Sequence, residues 1–386
     1  MGVLRFLLAI SIVVWHCPEG VVPRFLHPAL AVQCFYAVSG FLIQMVIWSK
    51  YQGHQQWQIR FYVSRILRIY PLYLLFFLLT VGFISCSLPY LIEQRRWGQA
   101  LVWIANNFLI VGQDVLRFFY ARATTGDFTV LPADEAERAK VYAQGLAVQM
   151  TILGQSWTLA IELYFYLLAP LLLMWRTRRL TIGVVGLIAL RLALGYSFNS
   201  RPELLYGFFP TELAVFILGA LAYRAYAHFF LAGRLLQGLR LMGQGEKAIT
   251  ALSVLVVMGM CWVYTTIDLS FVGAFMPRAA GSWNAPLSAP TGYWLVLLMT
   301  VTSLPFAFHV SSHIRFDRYL GELSYPIYIS HFLVLQLLTA KLHPADESKV
   351  YICVFVLGIS VLVSMGLIEF VEKPIDRLRH RLARVG

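Results

Sequence analysis

Two ionisable residues, Arg5 and His16, lie eleven positions apart in the first apolar run. Eleven steps of about 100° along an α-helix end about 20° from three full turns, so both side chains lie on one face, roughly 16 Å apart along the axis. Histidine, with an unperturbed pKa near 6.5, is suited to proton transfer or nucleophilic attack. The alternative is structural: Arg5 anchors one end of the helix and His16 lies at the other boundary.

A carboxylate lies inside another apolar run, SWTLAIELYFYLLAP, residues 156–170. Glu162 and Tyr166 are one helical turn apart and share a face. A carboxylate among apolar residues must pair with a cation, take up a proton or face water. His16 and Arg191 are both candidate cationic partners, and the sequence does not choose between them.

A basic pair precedes the third apolar run. Arg65 and Arg68 are three positions apart, so they share a helix face and present two guanidinium groups, a geometry suited to phosphate. Arg60 lies earlier in the same segment. The alternative is that any cytoplasmic loop of a membrane protein is rich in Lys and Arg.

A second histidine candidate lies late in the chain, in LGELSYPIYISH. Tyr328 and His331 are three positions apart and therefore neighbours on a helix. His309 and His313 have the spacing of a metal-binding pair, but the sequence offers no third ligand, so we expect no metal site.

The motif FYAVSGF contains Tyr36, Ser39 and Gly40. Small residues such as Ser39 and Gly40 allow two membrane helices to approach closely. Packing alone explains them.

The composition shows what kind of element must position these residues. Of 386 residues, 59% are hydrophobic and 13% are charged, against about 45–50% and about 25% in soluble domains. Too few charged residues remain to cover the surface of a soluble globule. We therefore predict an all-α polytopic integral membrane protein.

About ten runs approach the roughly 20 apolar residues that an α-helix needs to cross a bilayer. They are Val3–Cys17, Ala29–Trp48, Ile69–Ser85, Gln155–Trp175, Leu180–Tyr196, Phe209–Phe229, Ala248–Ile267, Gly292–Val310, Leu320–Ala340 and Val350–Phe370. With the N-terminus inside, most of the 31 Lys and Arg residues fall on the cytoplasmic side, as the positive-inside rule requires. Both termini are therefore predicted to be cytoplasmic. The net charge of +12 is explained by topology, and we expect no nucleic-acid partner.

The domain prediction is a single transmembrane domain, residues 1–386. Residues 87–154 form a periplasmic loop region between the third and fourth spans, expected to lie along the interface or to fold over the outer mouth. Residues 371–386 form a basic cytoplasmic tail.

The order of the motifs along the chain is more specific than any one of them. Arg-x10-His, FYAVSGF, RxxR, SWTLAIELYFYLLAP, LGELSYPIYISH and VEKP follow one another in register. In this the chain resembles the acyltransferase-3 family over about Met1 to Arg379. The family consists of polytopic membrane enzymes that move acyl groups from acyl-CoA to hydroxyls of sugars and related acceptors.

The resemblance implies roles for particular residues. The expected catalytic residues are His16, Arg5, Glu162 and Tyr328. The residues expected to bind acyl-CoA are Arg65 and Arg68, with Arg60 as a third. The residues expected to contact substrate are Trp157, Tyr166, His331 and Tyr36. Some relatives carry a further hydrolase-like domain outside the membrane, and we expect none in this chain.

The resulting hypothesis is an O-acyltransferase of the bacterial inner membrane. Acyl-CoA, most simply acetyl-CoA, docks from the cytoplasm as a donor substrate, with no permanently bound cofactor. His16 acts as general base or as transient acyl carrier, Glu162 orients a cation, and Tyr328 or Tyr166 stabilises the thioester oxyanion. The acceptor, a saccharide or a glycan-lipid, approaches from the outer side.

The alternative function is a transporter or flippase for a glycan or a lipid-linked intermediate, which also needs many helices and buried ionisable residues. The sequence shows neither an inverted repeat nor the paired Gly/Pro breaks that often mark transporter sites. A membrane sensor without chemistry would leave the polar motifs unexplained.

Overall fold

The structure is a computed structural model, and it describes residues 1–17, 26–84, 88–116, 119–122, 128–130, 137, 140, 147–148, 151–197, 207–232, 255, 290–342 and 349–384. Helices dominate these residues. Five helical segments are long and apolar enough to cross a membrane: Pro28–Tyr51, Trp57–Phe83, Phe209–Leu231, Arg315–Ala340 and Tyr351–Arg379. Three shorter apolar helices accompany them, Gly2–His16, Trp157–Leu172 and Val296–Ser311. The prediction of a helical membrane protein is confirmed, whereas ten spans and cytoplasmic termini stay predictions.

The helices are numbered in chain order. They are α1 (Gly2–His16), α2 (Pro28–Val46), α3 (Trp57–Phe83), α4 (Leu88–Glu93), α5 (Trp97–Leu109), α6 (Gln113–Leu116), α7 (Trp157–Leu172), α8 (Thr177–Ser197), α9 (Phe209–Tyr226), α10 (Pro290–Ser311), α11 (Arg315–Leu342), α12 (Lys349–Leu367) and α13 (Lys373–Arg384). Short π-helical segments extend α2, α9 and α12: Ile47–Tyr51, Ala227–Leu231 and Ile368–Glu372. Every predicted span within the described residues coincides with a helix. The predicted span Ala248–Ile267 lies outside the described residues except for residue 255.

Helix α1 is fixed to α11 at its first turn. The carboxylate of Asp317 accepts hydrogen bonds from the backbone N–H groups of Gly2 and Val3, both at 2.8 Å. An acidic group at a helix N-terminus satisfies unpaired N–H groups and complements the helix dipole. A Cβ atom on Gly2 would lie 1.5 Å from the carbonyl oxygen of Asp317. Only glycine permits this contact, which places α1 beside α11.

Helices α2 and α9 pack backbone to backbone. A Cβ on Gly40 would lie 1.9 Å from the Phe216 carbonyl oxygen, and one on Gly219 would lie 1.9 Å from the Ala37 carbonyl oxygen. Such close approach is typical of small residues at the interfaces of membrane helices. The predicted packing role of Gly40 is therefore confirmed.

The region 87–154 adds a small antiparallel sheet to the mainly helical fold. Its strands are β1 (Phe119–Arg122), β2 (Phe128–Val130) and β3 (Ala147–Val148), in the order β2-β1-β3. Phe119 pairs with Val130 and Ala121 with Val148. Aromatic and β-branched residues favour strands, but runs of two to four residues are too short to stand out in a hydropathy pattern.

The helices of this region pack against α3 and α7. The hydroxyl of Tyr73 donates to the Asn107 carbonyl oxygen at 2.6 Å, and that of Tyr70 donates to the Leu109 carbonyl oxygen at 2.7 Å. Asp114 accepts a bond from the Tyr164 hydroxyl at 3.3 Å. Burial raises the pKa of the Asp114 carboxyl, because desolvation disfavours the charged form. These contacts hold the region against one end of the helices.

Candidate active site

A cavity of about 310 Å³ lies between α1, α2, α3, α7 and α11, with α13 at its edge. Its volume lies in the range of small-molecule binding sites, which starts at about 300 Å³. Residues from six separate helices contribute to its lining. The polar and aromatic ones that matter below are Arg5, Tyr36, Ser39, Arg65, Arg68, Thr158, Glu162, Tyr166, Ser324, Tyr325, Tyr328 and Arg379.

The lining is strongly basic. Among the described residues that line the cavity, four are arginines and one, Glu162, is a carboxylate. The Arg65 guanidinium also lies 5.7 Å from the ring centre of Tyr166 and 5.6 Å from that of Phe61. Stacking on aromatic faces holds a guanidinium in place while leaving its N–H groups available. The cavity is thus a ready site for an anion.

Glu162 has different partners from the two that the sequence suggested. Its Oε1 accepts a hydrogen bond from the Ser39 hydroxyl at 2.8 Å and a short one from the Tyr166 hydroxyl. Ser39 therefore does more than pack, because it crosses from α2 to fix a carboxylate on α7. The proposed pairs with His16 and Arg191 were wrong.

Arg191 belongs to a separate buried cluster between α2, α8, α9 and α10. Its Nη1 lies 3.7 Å from an oxygen of Glu212, and its guanidinium lies 5.4 Å from the ring centre of Trp294. The side-chain amide of Gln33 donates to both Glu212 oxygens at 2.8 Å. Glu212, in the first turn of α9, is completely buried.

His16 lies beside His331, with 5.4 Å between the ring centres. The Nδ1 atoms bond to backbone carbonyl oxygens of their own helices: His16 to Ile12 at 2.8 Å and His331 to Tyr328 at 2.7 Å. A carbonyl oxygen can only accept, so each Nδ1 carries the hydrogen. In the neutral form the lone pair is therefore on Nε2, the atom that can take a proton. The Nε2 of His331 is buried and has no hydrogen-bond partner among the described residues.

Tyr328 lies between the cavity and His331 in the sense that it lines the one and contacts the other. Its ring centre lies 5.9 Å from that of His331, and its side chain forms part of the cavity wall. Its hydroxyl donates to the Gln155 carbonyl oxygen at 3.1 Å and lies 2.8 Å from the Thr158 hydroxyl. His331 therefore lies next to a residue of the cavity wall, and neither His331 nor His16 belongs to the lining.

The model of a protein family described as an acyltransferase domain matches residues 1–369 of the chain. The chain belongs to the acyltransferase-3 family. The predicted resemblance is therefore confirmed at the level of the family.

The acyltransferase chain is also similar to the O-acetyltransferase OatA of Staphylococcus aureus, in strains NCTC 8325 / PS 47 and COL. The identity is 23% over 371 residues, covering 90% of this chain and 52% of each relative. The chain therefore spans about half the length of the curated relatives it matches. No solved structure matches the chain.

Most of the acyltransferase's predicted site residues line the cavity or lie near its wall. The residues that line it are Arg5, Arg65, Arg68, Glu162, Tyr166, Tyr328 and Tyr36. Tyr36 also stacks on Phe216, with 4.6 Å between the ring centres. His331 lies next to Tyr328 and beside His16.

Two predicted residues of the acyltransferase lie elsewhere. Arg60 is half-buried on α3 and does not line the cavity. Trp157 packs against the hydrophobic core at the first turn of α7, also away from the cavity lining. On α3 the helical period carries Arg65 and Arg68 to the cavity and leaves Arg60 on another face.

Sequence reasoning missed Arg379, Tyr325 and Thr158. Tyr325 lies in the recognised motif LGELSYPIYISH, and its hydroxyl donates to the Ile69 carbonyl oxygen at 2.8 Å, so its position in that motif was a usable signal. Arg379 was counted only as part of a basic tail. The described residues hold no group of three or more His, Cys, Asp or Glu placed to bind a metal ion.

Proposed function

We propose that this chain is a membrane O-acetyltransferase of the bacterial inner membrane that moves an acetyl group from acyl-CoA to a hydroxyl of a saccharide or glycan-lipid. The observation that carries the proposal is the cavity with arginines on its wall. His331 lies next to its lining residue Tyr328 and beside His16, and the Nε2 atoms of both histidines carry the lone pairs. Family membership and the similarity to O-acetyltransferase OatA support transfer of an acetyl group.

The basic end of the cavity suits the donor. Arg5, Arg65 and Arg68 contribute guanidinium groups to one wall, and guanidinium binds phosphate through paired, charge-assisted hydrogen bonds. Arg5 and His16 are separated by about three turns of α1, roughly 16 Å. A donor with phosphates near Arg5 therefore needs an extended arm to bring its thioester to His16. The pantetheine arm of CoA supplies such an extension.

Two chemical routes fit His16. As a general base, Nε2 takes the proton of the acceptor hydroxyl while the acceptor oxygen attacks the thioester carbonyl carbon. The C–S bond then breaks, and the CoA thiolate takes the proton from the imidazolium. As an acyl carrier, Nε2 itself attacks the carbonyl carbon, the C–S bond breaks and CoA leaves as the thiolate. The acceptor oxygen then attacks the acyl carbon, the C–N bond to Nε2 breaks, and the acceptor's proton passes to Nε2 and from there to the CoA thiolate.

Tyr328 lines the cavity and lies beside His331. Its hydroxyl and that of Tyr166 are already engaged, with Gln155 and Thr158 and with Glu162 respectively. Neither tyrosine can donate to an oxyanion until its present bond breaks. Arg5 lies about three turns of α1 from His16, so we assign its guanidinium to the phosphates of the donor and not to the thioester oxygen.

Glu162 balances this positive charge. Its electrostatic partners include Arg5 and Arg68, while Ser39 and Tyr166 fix its Oε1 atom. A carboxylate held in this way orients guanidinium groups without neutralising all of them. The site thus keeps a net positive charge for an anionic donor.

The test is release of free CoA by the purified protein in lipid nanodiscs. Wild type is compared with His16→Ala and with the control His313→Ala, whose exposed histidine lies outside the cavity lining. Acetyl-CoA is supplied with and without a mixed glycan extract. We expect His16→Ala to lower turnover by about 10²-fold or more, the range for loss of an acid–base group, and His313→Ala to leave it unchanged.

Full turnover by His16→Ala would exclude both chemical routes. Mass spectrometry of the protein after reaction with acetyl-CoA alone separates them, because only the carrier route leaves an acetyl group on His16. The transporter alternative predicts movement of a glycan across the membrane without acetyl-CoA, and its observation would replace the enzyme proposal.

A further inference from the structure

We propose that Arg379, on the C-terminal helix α13, is a phosphate-binding residue of the donor site and makes the enzyme prefer phosphorylated donors. This inference rests on the proposed use of acyl-CoA. It assigns to the donor site a segment that the sequence predicted to be only a basic tail, beyond residue 369, where the family match ends.

Helix α13 carries Arg379 to the edge of the cavity. The helix follows α12 through the π-helical segment Ile368–Glu372, and it is strongly amphipathic. Its partly buried face packs against α3, where Arg65 and Arg68 lie. Arg379 lines the cavity with them and is close enough to both for electrostatic interaction.

The positive charges in the cavity wall favour the binding of an anion. Arg379 joins Arg5, Arg65 and Arg68, while Glu162 is the one carboxylate among the described lining residues. Like charges brought together out of water repel one another strongly. A ligand with several negative charges, such as the diphosphate and phosphate monoester groups of CoA, relieves this repulsion.

Unpaired donors point to the same ligand class. The Nε atoms of Arg65 and Arg379 are buried and have no hydrogen-bond partner in the described part of the chain. A buried N–H group without an acceptor is costly, and such groups are uncommon in folded proteins. Phosphate offers several acceptor oxygens in the geometry that guanidinium matches.

Asp376 positions Arg379. Its Oδ1 lies 2.5 Å from Arg379 Nη1, one helical turn away, and the Arg379 side chain is 17% exposed. The bond holds one edge of the guanidinium and leaves its Nε–H unpaired. Arg377, two positions earlier, is exposed, so it supplies a matched control of the same residue type on the same helix.

The experiment compares Arg379→Gln, Arg379→Lys and Arg377→Gln with wild type in nanodiscs. KM is measured for acetyl-CoA, for acetyl-pantetheine, which has the same thioester arm without phosphates, and for the acceptor. We expect Arg379→Gln to raise the KM for acetyl-CoA about tenfold, as loss of one charge-assisted bond predicts, and to leave that for acetyl-pantetheine unchanged. Arg379→Lys keeps the charge but lacks the planar guanidinium, so its KM for acetyl-CoA should lie between those of wild type and Arg379→Gln. The KM of Arg377→Gln should equal that of wild type.

An Arg379→Gln variant that behaves like Arg377→Gln would overturn the inference. So would an equal rise in KM for both thioesters, because a purely structural role of Arg379 affects both donors alike. Melting temperatures of all variants show whether the fold is intact, and Arg379→Lys supplies the comparison if the glutamine variant is unstable.

Binding of inorganic pyrophosphate separates this inference from the proposed function. If wild type neither binds nor consumes acetyl-CoA, the proposed donor is wrong. Pyrophosphate binding that is lost in Arg379→Gln and kept in Arg377→Gln would then still establish the anion site. Equal binding by the two variants would refute it.

Discussion

The contact between α2 and α9 leads to a sharp prediction, because Gly40 lies where no side chain fits. A Cβ atom at this position would lie 1.9 Å from the Phe216 carbonyl oxygen, and at least 3.0 Å is needed. Gly40→Ala therefore requires α2 and α9 to separate by about 1 Å. The neighbouring helix backbone cannot rotate away as a flexible side chain can.

The expected cost follows from overpacking. Inserting a methyl group into a tightly packed contact costs about 1–3 kcal/mol, and here the obstacle is backbone on both sides, because Gly219 meets Ala37 in the same way. We expect a value near the upper end of that range. Since Ser39, the residue before Gly40 on α2, donates a hydrogen bond to Glu162 in the cavity wall, activity should fall together with stability.

The loss of stability in Gly40→Ala is measured by thermal unfolding in detergent, followed by a thiol-reactive dye. Gly186→Ala is the control, because Gly186 lies on exposed surface of α8 and a Cβ there meets nothing within 4 Å. Its melting temperature should be unchanged or slightly raised, since alanine favours helix more than glycine does. If Gly40→Ala has the same melting temperature as Gly186→Ala, the close contact between α2 and α9 does not stabilise the protein and the reasoning fails.

Three further predictions concern the charged groups and a tyrosine of the cavity wall. The double change Arg65→Ala/Arg68→Ala should raise the KM for acetyl-CoA at least tenfold and that for the acceptor little; equal effects would indicate a folding defect. Tyr328→Phe keeps the ring and should retain turnover within about tenfold of wild type if the hydroxyl only holds the ring in place, and a larger loss would give the hydroxyl a chemical role. Arg191→Gln should destabilise the protein by about 3–5 kcal/mol because it leaves Glu212 buried without its cation, and an unchanged melting temperature would contradict this.

The sequence predicts the helices well because burial in a bilayer demands long apolar runs. It also predicts which side chains share a face within one helix, as for Glu162 and Tyr166. Contacts between helices are a different matter. The bond from Ser39 to Glu162 joins residues 123 positions apart, and no helical period encodes such a distance.

Because contacts between helices cannot be read from the sequence, the prediction of the site contains errors. Arg191 was a reasonable partner for Glu162 by charge alone, but helix packing gave it Glu212 instead. Arg379 resembled any basic residue after a last membrane span, and only the packing of α13 against α3 shows that it lines the cavity. Charge type can be read from the sequence, whereas the partner of each charge depends on the fold.

The bond between Asp317 and the first turn of α1 has a consequence for the order of assembly. Asp317 follows Gly2 by 315 positions, so α1 emerges from the ribosome long before the group that fixes its end exists. With 15 residues, α1 is about 22 Å long and falls short of the roughly 30 Å of hydrocarbon. We therefore expect α1, which carries Arg5 and His16, to reach its final depth only after α11 has been synthesised. A chain that ends before residue 315 contains both residues but lacks the carboxylate that fixes α1.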